Sequence, residues 1–113
     1  MTDNTKDYYI DKINFFTKML IEENEKGSII NLQVKMNNSF KVKLLEDELV
    51  IFCKSPREKN KINLEIIKHF TKIFNTSIII KSGLRSRNKR ILITNKKPEI
   101  VKIMIEEITK QFV

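Results

Sequence analysis

Four cationic side chains crowd one short stretch of this chain. Gly83-Leu84-Arg85-Ser86-Arg87-Asn88-Lys89-Arg90 places Arg85, Arg87, Lys89 and Arg90 beside one glycine and one serine. Guanidinium forks match phosphate oxygens in geometry and charge, and a glycine lets backbone approach a ligand closely. The plainer reading is that Gly83 supplies a left-handed backbone, Ser86 closes a turn and the cations face water. A second stretch, Ser55-Pro56-Arg57-Glu58-Lys59-Asn60-Lys61-Ile62-Asn63, runs into a helix start. Helix N-termini carry unpaired N–H groups and partial positive charge, and Arg57, Lys59 and Lys61 would add to that field. Here the plainer reading is ordinary capping, by Ser55 in a Ser-Pro-Arg-Glu box or by Asn60 at a later start, with Asn63 bonded to a neighbouring loop.

Other chemistry finds little support. His69 is the only histidine and Cys53 the only cysteine, so there is no disulfide framework and no metal-ligand spacing. No phosphate-cradling glycine loop or dinucleotide fingerprint occurs. His69 falls mid-helix beside Phe70, where packing is its expected role, and Cys53 ends an apolar run. No cofactor and no metal is expected. Tyr8, Tyr9, Phe15 and Phe16 fit packing better than base stacking.

The charge is concentrated rather than spread. The net charge of +8 arises in residues 54–97, which hold 13 basic and 2 acidic side chains, whereas residues 1–28 hold 4 and 6. A confined excess is the footprint expected for an anionic partner, although a lysine-rich composition can also be mere solvated surface. At 113 residues with 41% apolar content, the chain suits one domain with one core. It has no apolar run near the ~20 residues that span a bilayer, and its first residues lack a secretory pattern. A cytoplasmic protein with no membrane partner is the expectation.

Periodicity supplies the elements that must position the two basic stretches. Residues 7–25 carry a helical stripe, Tyr9, Ile13, Phe16 and Leu20, with Gly27 as the stop, although Glu22, Glu23 and Glu25 then sit at the unfavourable end of the macrodipole. Period-two alternation predicts strands over residues 29–36 and 40–44, followed by a continuous apolar strand over 49–53, read as an antiparallel meander. A helix over 60–74 ends at Asn75. Strands over 77–82 and 89–94 flank the basic loop, and Pro98 opens a last helix with Val101, Met104, Ile105, Ile108 and Phe112 on one side. The expected architecture is α+β: a two-layer domain, a mixed sheet of about five strands with helices on one face, plus an extra N-terminal helix. Residues 1–28 would form the helical extension and 29–113 the α+β domain.

The two basic stretches together resemble motifs of the YggU-like (DUF167) family of small α+β proteins. That family has a proline-rich turn leading to Gly-Lys-Ala-Asn at a helix start. After the helix and a strand it has Ser-Gly-x-x-Ser-Arg-x-Lys. By this resemblance Lys61 and Asn63 take the Lys and Asn of the first motif, and Gly83, Ser86, Arg87 and Lys89 take positions of the second. Asn60 stands where the family has glycine, Ile62 where it has alanine, and Arg57 where it has a second proline. The resemblance implies a two-layer α+β fold with a mixed sheet over about residues 29–112 and brings no activity with it. The functional expectation is therefore a noncatalytic domain for an anionic partner, RNA or an RNA-containing assembly first. Its surface would be formed by Arg57, Lys59, Lys61, Asn63, Gly83, Arg85, Ser86, Arg87, Lys89 and Arg90. A protein-interaction module using residues 7–25 is one alternative; an enzyme acting on a phosphorylated small molecule is another.

Overall fold

A computed structural model describes residues 21–45, 48–56 and 60–111. Six strands and two helices follow in order: β1 (Ile21–Asn24), β2 (Gly27–Met36), β3 (Lys41–Leu45), β4 (Glu48–Cys53), α1 (Lys61–Phe74), β5 (Ile78–Ser82), β6 (Asn88–Thr94) and α2 (Pro98–Lys110). The fold is α+β with a mixed sheet in the order β3-β4-β2-β6-β5, and β1 pairs with β2 off this path. Both helices pack on one face, where Ile66, Phe70 and Phe74 of α1 and Val101 and Ile105 of α2 meet one set of alternating strand residues. The strand contribution includes Ile30, Leu32, Val42, Ile51, Ile91 and Ile93, all nearly inaccessible to solvent.

Two expectations are corrected here. Residues 29–36, 40–44 and 49–53 are strands but not a meander. β2 pairs with β4 in parallel, Gln33 to Val50 through Met36 to Cys53, and β3 pairs only with β4, at the sheet edge. The near-continuous burial of Leu49, Val50, Ile51 and Cys53 explains the choice. A strand covered on both faces belongs inside the sheet, and the more polar β3 takes the edge. The helix expected over 7–25 is contradicted over its last residues. Ile21–Asn24 form β1, which turns back through Glu25 and Lys26 onto β2. Ile21 joins the core opposite Ile30, Glu22 faces the other way to Arg90, and Asn24 Oδ1 accepts the Lys26 N–H at 2.9 Å. Gly27 stops no helix. Its φ of 152° opens β2, where a Cβ would lie 2.1 Å from the Ile93 carbonyl oxygen. The rest of the expected N-terminal helix, residues 7–20, lies outside the described residues, as do Glu46, Asp47 and Phe112.

The topology fixes where the site must be. β2, β4 and β5 all point one way, because β2 and β4 are parallel and two antiparallel steps through β6 separate β2 from β5. The chain leaves the C-terminal end of β4, enters α1 at that end, and returns antiparallel to it along β5. The start of α1 and the β5–β6 loop therefore emerge at the same edge of the sheet. In open sheets, crevices for ligands form beyond the carboxyl ends of parallel strands.

Glu65 secures the start of α1. This carboxylate is buried under the β4–α1 connection and accepts the backbone N–H groups of Lys54 and Ser55 at 3.0 and 2.8 Å. Burial pushes its pKa up, but the hydrogen bonds from Ser55 and Lys54, aided by His69, outweigh that and hold it below the ordinary carboxylate value. One turn on, His69 stacks flat on Phe40 at 3.8 Å between ring centroids, so it packs, as expected. A carboxyl with a lowered folded pKa contributes stability that is complete above the unfolded value and drains away as pH falls through the folded one. Glu65→Gln is expected to cost about 2 kcal/mol at neutral pH and progressively less as the pH falls below the ordinary carboxylate value and the native carboxyl gains its proton. Urea unfolding midpoints at neutral and acid pH check this.

Candidate phosphate-binding cleft

Asn60 begins the site. It precedes α1 with φ 61° and ψ 13°, the left-handed conformation that asparagine tolerates best among residues with a side chain. Its carbonyl accepts the first helical bond, from the Leu64 N–H at 3.0 Å. Its side chain caps no backbone N–H of the helix. Instead Asn60 Oδ1 accepts from Asn63 Nδ2 at 3.0 Å. Among the described residues the N–H groups of Lys61, Ile62 and Asn63 thus have no partner, and the positive end of the helix is left uncapped.

The β5–β6 loop closes over this helix end. A bulge at Lys81 ends the regular β5 pairing, and Gly83 follows at φ 84°. A Cβ on Gly83 would lie 2.1 Å from the Asn88 carbonyl oxygen, so both the dihedral and the space demand glycine. The Ser86 N–H returns to the Gly83 carbonyl at 3.0 Å, and Ser86 Oγ accepts the Asn88 N–H at 3.0 Å. The Arg87 carbonyl accepts from the Val34 N–H at 2.8 Å, which anchors the loop to β2. Asn63 Nδ2 also donates to the Leu84 carbonyl at 3.0 Å, which joins loop to helix. Because that carbonyl can only accept, the orientation of the Asn63 amide is fixed, and Oδ1 is left buried with no partner.

Helix start and loop together line one open cleft of about 810 Å³. Lys61 and Asn63 contribute from α1, and Leu84, Arg85, Ser86 and Arg87 from the loop. Lys89 enters from β6, and Val34 and Met36 of β2 supply an apolar wall. Lys61, Arg85 and Arg87 are exposed, and no carboxylate pairs with them among the described residues. Six of the expected positions, Lys61, Asn63, Arg85, Ser86, Arg87 and Lys89, are therefore brought to one cleft, and Gly83 shapes its loop.

Lys89 and Arg90 depart from expectation in opposite ways. Lys89 shares the helix-facing side of β6 with Ile91 and is only 4% exposed. Its ammonium donates to the Gly83 carbonyl at 2.7 Å and the Leu84 carbonyl at 3.4 Å, so it braces the loop from beneath. Burial lowers its pKa, with Cys53 opposing. Arg90, the next residue along the strand, points from the other face of the sheet and bonds Glu22 at 2.6 Å. It belongs to no surface shared with Arg87, because strand alternation separates neighbours. Arg57 and Lys59 lie outside the described residues.

Glu65 was not among the expected residues. The signal for it was present. Ile62, Glu65, Ile66, His69, Phe70 and Ile73 follow the i, i+3, i+4 spacing of the apolar stripe, which placed a lone acid on the buried side. Cys53 is fully buried, and its thiol is pushed up to about 12, chiefly by burial, with Glu65 adding and Lys89 opposing. Such a thiol is no nucleophile. Among the described residues no group of His, Cys, Asp or Glu gathers to hold a metal ion. No described helix is long and apolar enough to cross a membrane. No protein-family model matches the chain.

Gly83→Ala is expected to destabilise the domain by about 2 kcal/mol or more, since dihedral strain and a backbone clash add. Asn60→Gly keeps the left-handed turn and is expected to cost well under that. Urea denaturation of both variants checks the pair.

Proposed function

We propose that this chain is a noncatalytic binding domain for an anionic, phosphate-bearing partner, RNA or an RNA-containing assembly, which it engages at the cleft between α1 and the β5–β6 loop. One observation carries the reading: Lys61 and the uncapped first turn of α1 share a cleft with Arg85 and Arg87, residues far apart in sequence. A helix N-terminus and guanidinium forks select the same chemistry, an oxyanion with several acceptor lone pairs. The make-up of the lining supports binding over catalysis. Its described residues are cations, amides, one hydroxyl and apolar side chains, and no carboxylate, imidazole or thiol stands among those described to move a proton. The stretches that resemble the YggU-like motifs are the two that meet here, and on those motifs we read the chain as a diverged relative of that family.

Phosphate contacts made by exposed cations give affinity without base readout and weaken steeply with salt. In anisotropy titrations against a structured RNA, Lys61→Ala, Arg85→Ala and Arg87→Ala are each expected to lower the slope of log affinity against log salt by about one. Arg90→Ala, on the far face, is expected to leave binding within about twofold. Salt-independent affinity, or equal loss from Arg90→Ala and Arg87→Ala, would overturn the assignment.

A further inference from the structure

Two buried side chains in the cleft carry opposite deficits. Lys89 is 4% exposed, and both partners of its ammonium are neutral carbonyls, Gly83 and Leu84. They use two of its three N–H groups and none of its charge, and no carboxylate pairs with it among the described residues. Asn63 is 5% exposed, its Nδ2 is spent on Asn60 Oδ1 and the Leu84 carbonyl, and its buried Oδ1 accepts nothing. A buried cation without a counter-charge and a buried acceptor without a donor are both costly, and a chain this size retains few of them. Both nitrogens bond the same Leu84 oxygen, so the two deficits lie within the breadth of one small ligand group. A bare anion would answer only Lys89, and a neutral donor only Asn63.

We propose that the cleft seats a ribose phosphate of RNA. The phosphate lies between Lys89 and the first-turn N–H groups of Lys61, Ile62 and Asn63, and the adjoining 2′-hydroxyl donates to Asn63 Oδ1. This rests on the reading of the cleft as a phosphate site and narrows it. RNA presents a hydroxyl beside every phosphodiester, whereas DNA presents the phosphate alone. Both buried groups hold the loop at Leu84, so the ligand reaches them as that part of the loop shifts outward. The exposed cations Arg85, Arg87 and Lys61 then supply attraction, and Asn63 supplies discrimination.

The test uses the full chain and three single-stranded oligonucleotides of one sequence and length: RNA, DNA and 2′-O-methyl RNA. Anisotropy at one fixed salt concentration is expected to show RNA binding about tenfold tighter than the other two, since the methyl ether cannot donate. In Asn63→Ala the three are expected to bind alike, near the DNA level. Equal affinities in the unmodified protein would overturn the ribose assignment and leave the phosphate reading standing. So would 2′-O-methyl RNA binding as tightly as RNA, or an RNA preference that survives Asn63→Ala. No binding of any of the three would overturn both. The ligand series decides the matter by itself if Asn63→Ala fails to fold.

Discussion

The hydrogen bond from Asn63 Nδ2 to the Leu84 carbonyl joins two parts of the chain that are 21 residues apart, and the shape of the cleft depends on it. The helix start is uncapped, and the loop that faces it turns on a glycine. One amide ties the two together, donating back to Asn60 Oδ1 and across to the Leu84 carbonyl, while Lys89 supports the same carbonyl from below. A side-chain amide is suited to this because it offers two donors at fixed angles. The arrangement leaves its oxygen buried without a partner, in a cleft that Lys89 also lines.

The distribution of buried polar groups follows the same division. Most of the interior is aliphatic and aromatic, from Ile30 and Ile91 in the central strands to Phe70 and Phe74 on α1. Four described polar or charged residues are buried. Ser28 lies at the far end of β2, where it donates to the Lys96 carbonyl at 2.6 Å and is satisfied. Asn63, Glu65 and Lys89 gather where α1 begins. Glu65 is satisfied by two backbone N–H groups, but Asn63 and Lys89 are satisfied only in part. Hydrophobic burial elsewhere must offset the cost of keeping them. An apolar substitute at Lys89 would pack without that cost, which is retained where the proposed ligand site lies.

Much of the fold was legible in the sequence because one buried face imposes a period. α1 was expected over 60–74 and spans Lys61–Phe74. β5, β6 and the start of α2 fall within a residue or two of expectation, and Phe112 lies outside the described residues. Asn75 takes the left-handed C-terminal conformation its type suggested, at φ 53°. What failed depended on partners that are distant in sequence. Periodicity shows that residues 29–53 are strands, but not that β4 inserts beside β2 in parallel. The helical stripe of residues 7–25 concealed the local signals at its end, an unfavourable run of glutamates and an asparagine turn before Gly27. The convergence of the two basic stretches was legible as a consequence of an antiparallel helix and strand. The burial of Lys89 and the exile of Arg90 were not, because a loop sequence does not say where alternation begins. The unbroken pairing of β6 with β2, Lys89 opposite Leu32 and Arg90 opposite Asn31, sets that phase.

The most direct test of the account is a nitrogen-15 NMR titration of the full chain with a short RNA. The backbone amides of Lys61, Ile62 and Asn63 are expected to shift together with those of Arg85 and Arg87, along one binding curve, while Glu22 and Arg90 on the other face stay still. Shifts confined to the loop, or centred on the face that carries Arg90, would contradict a cleft built jointly by the helix start and the loop.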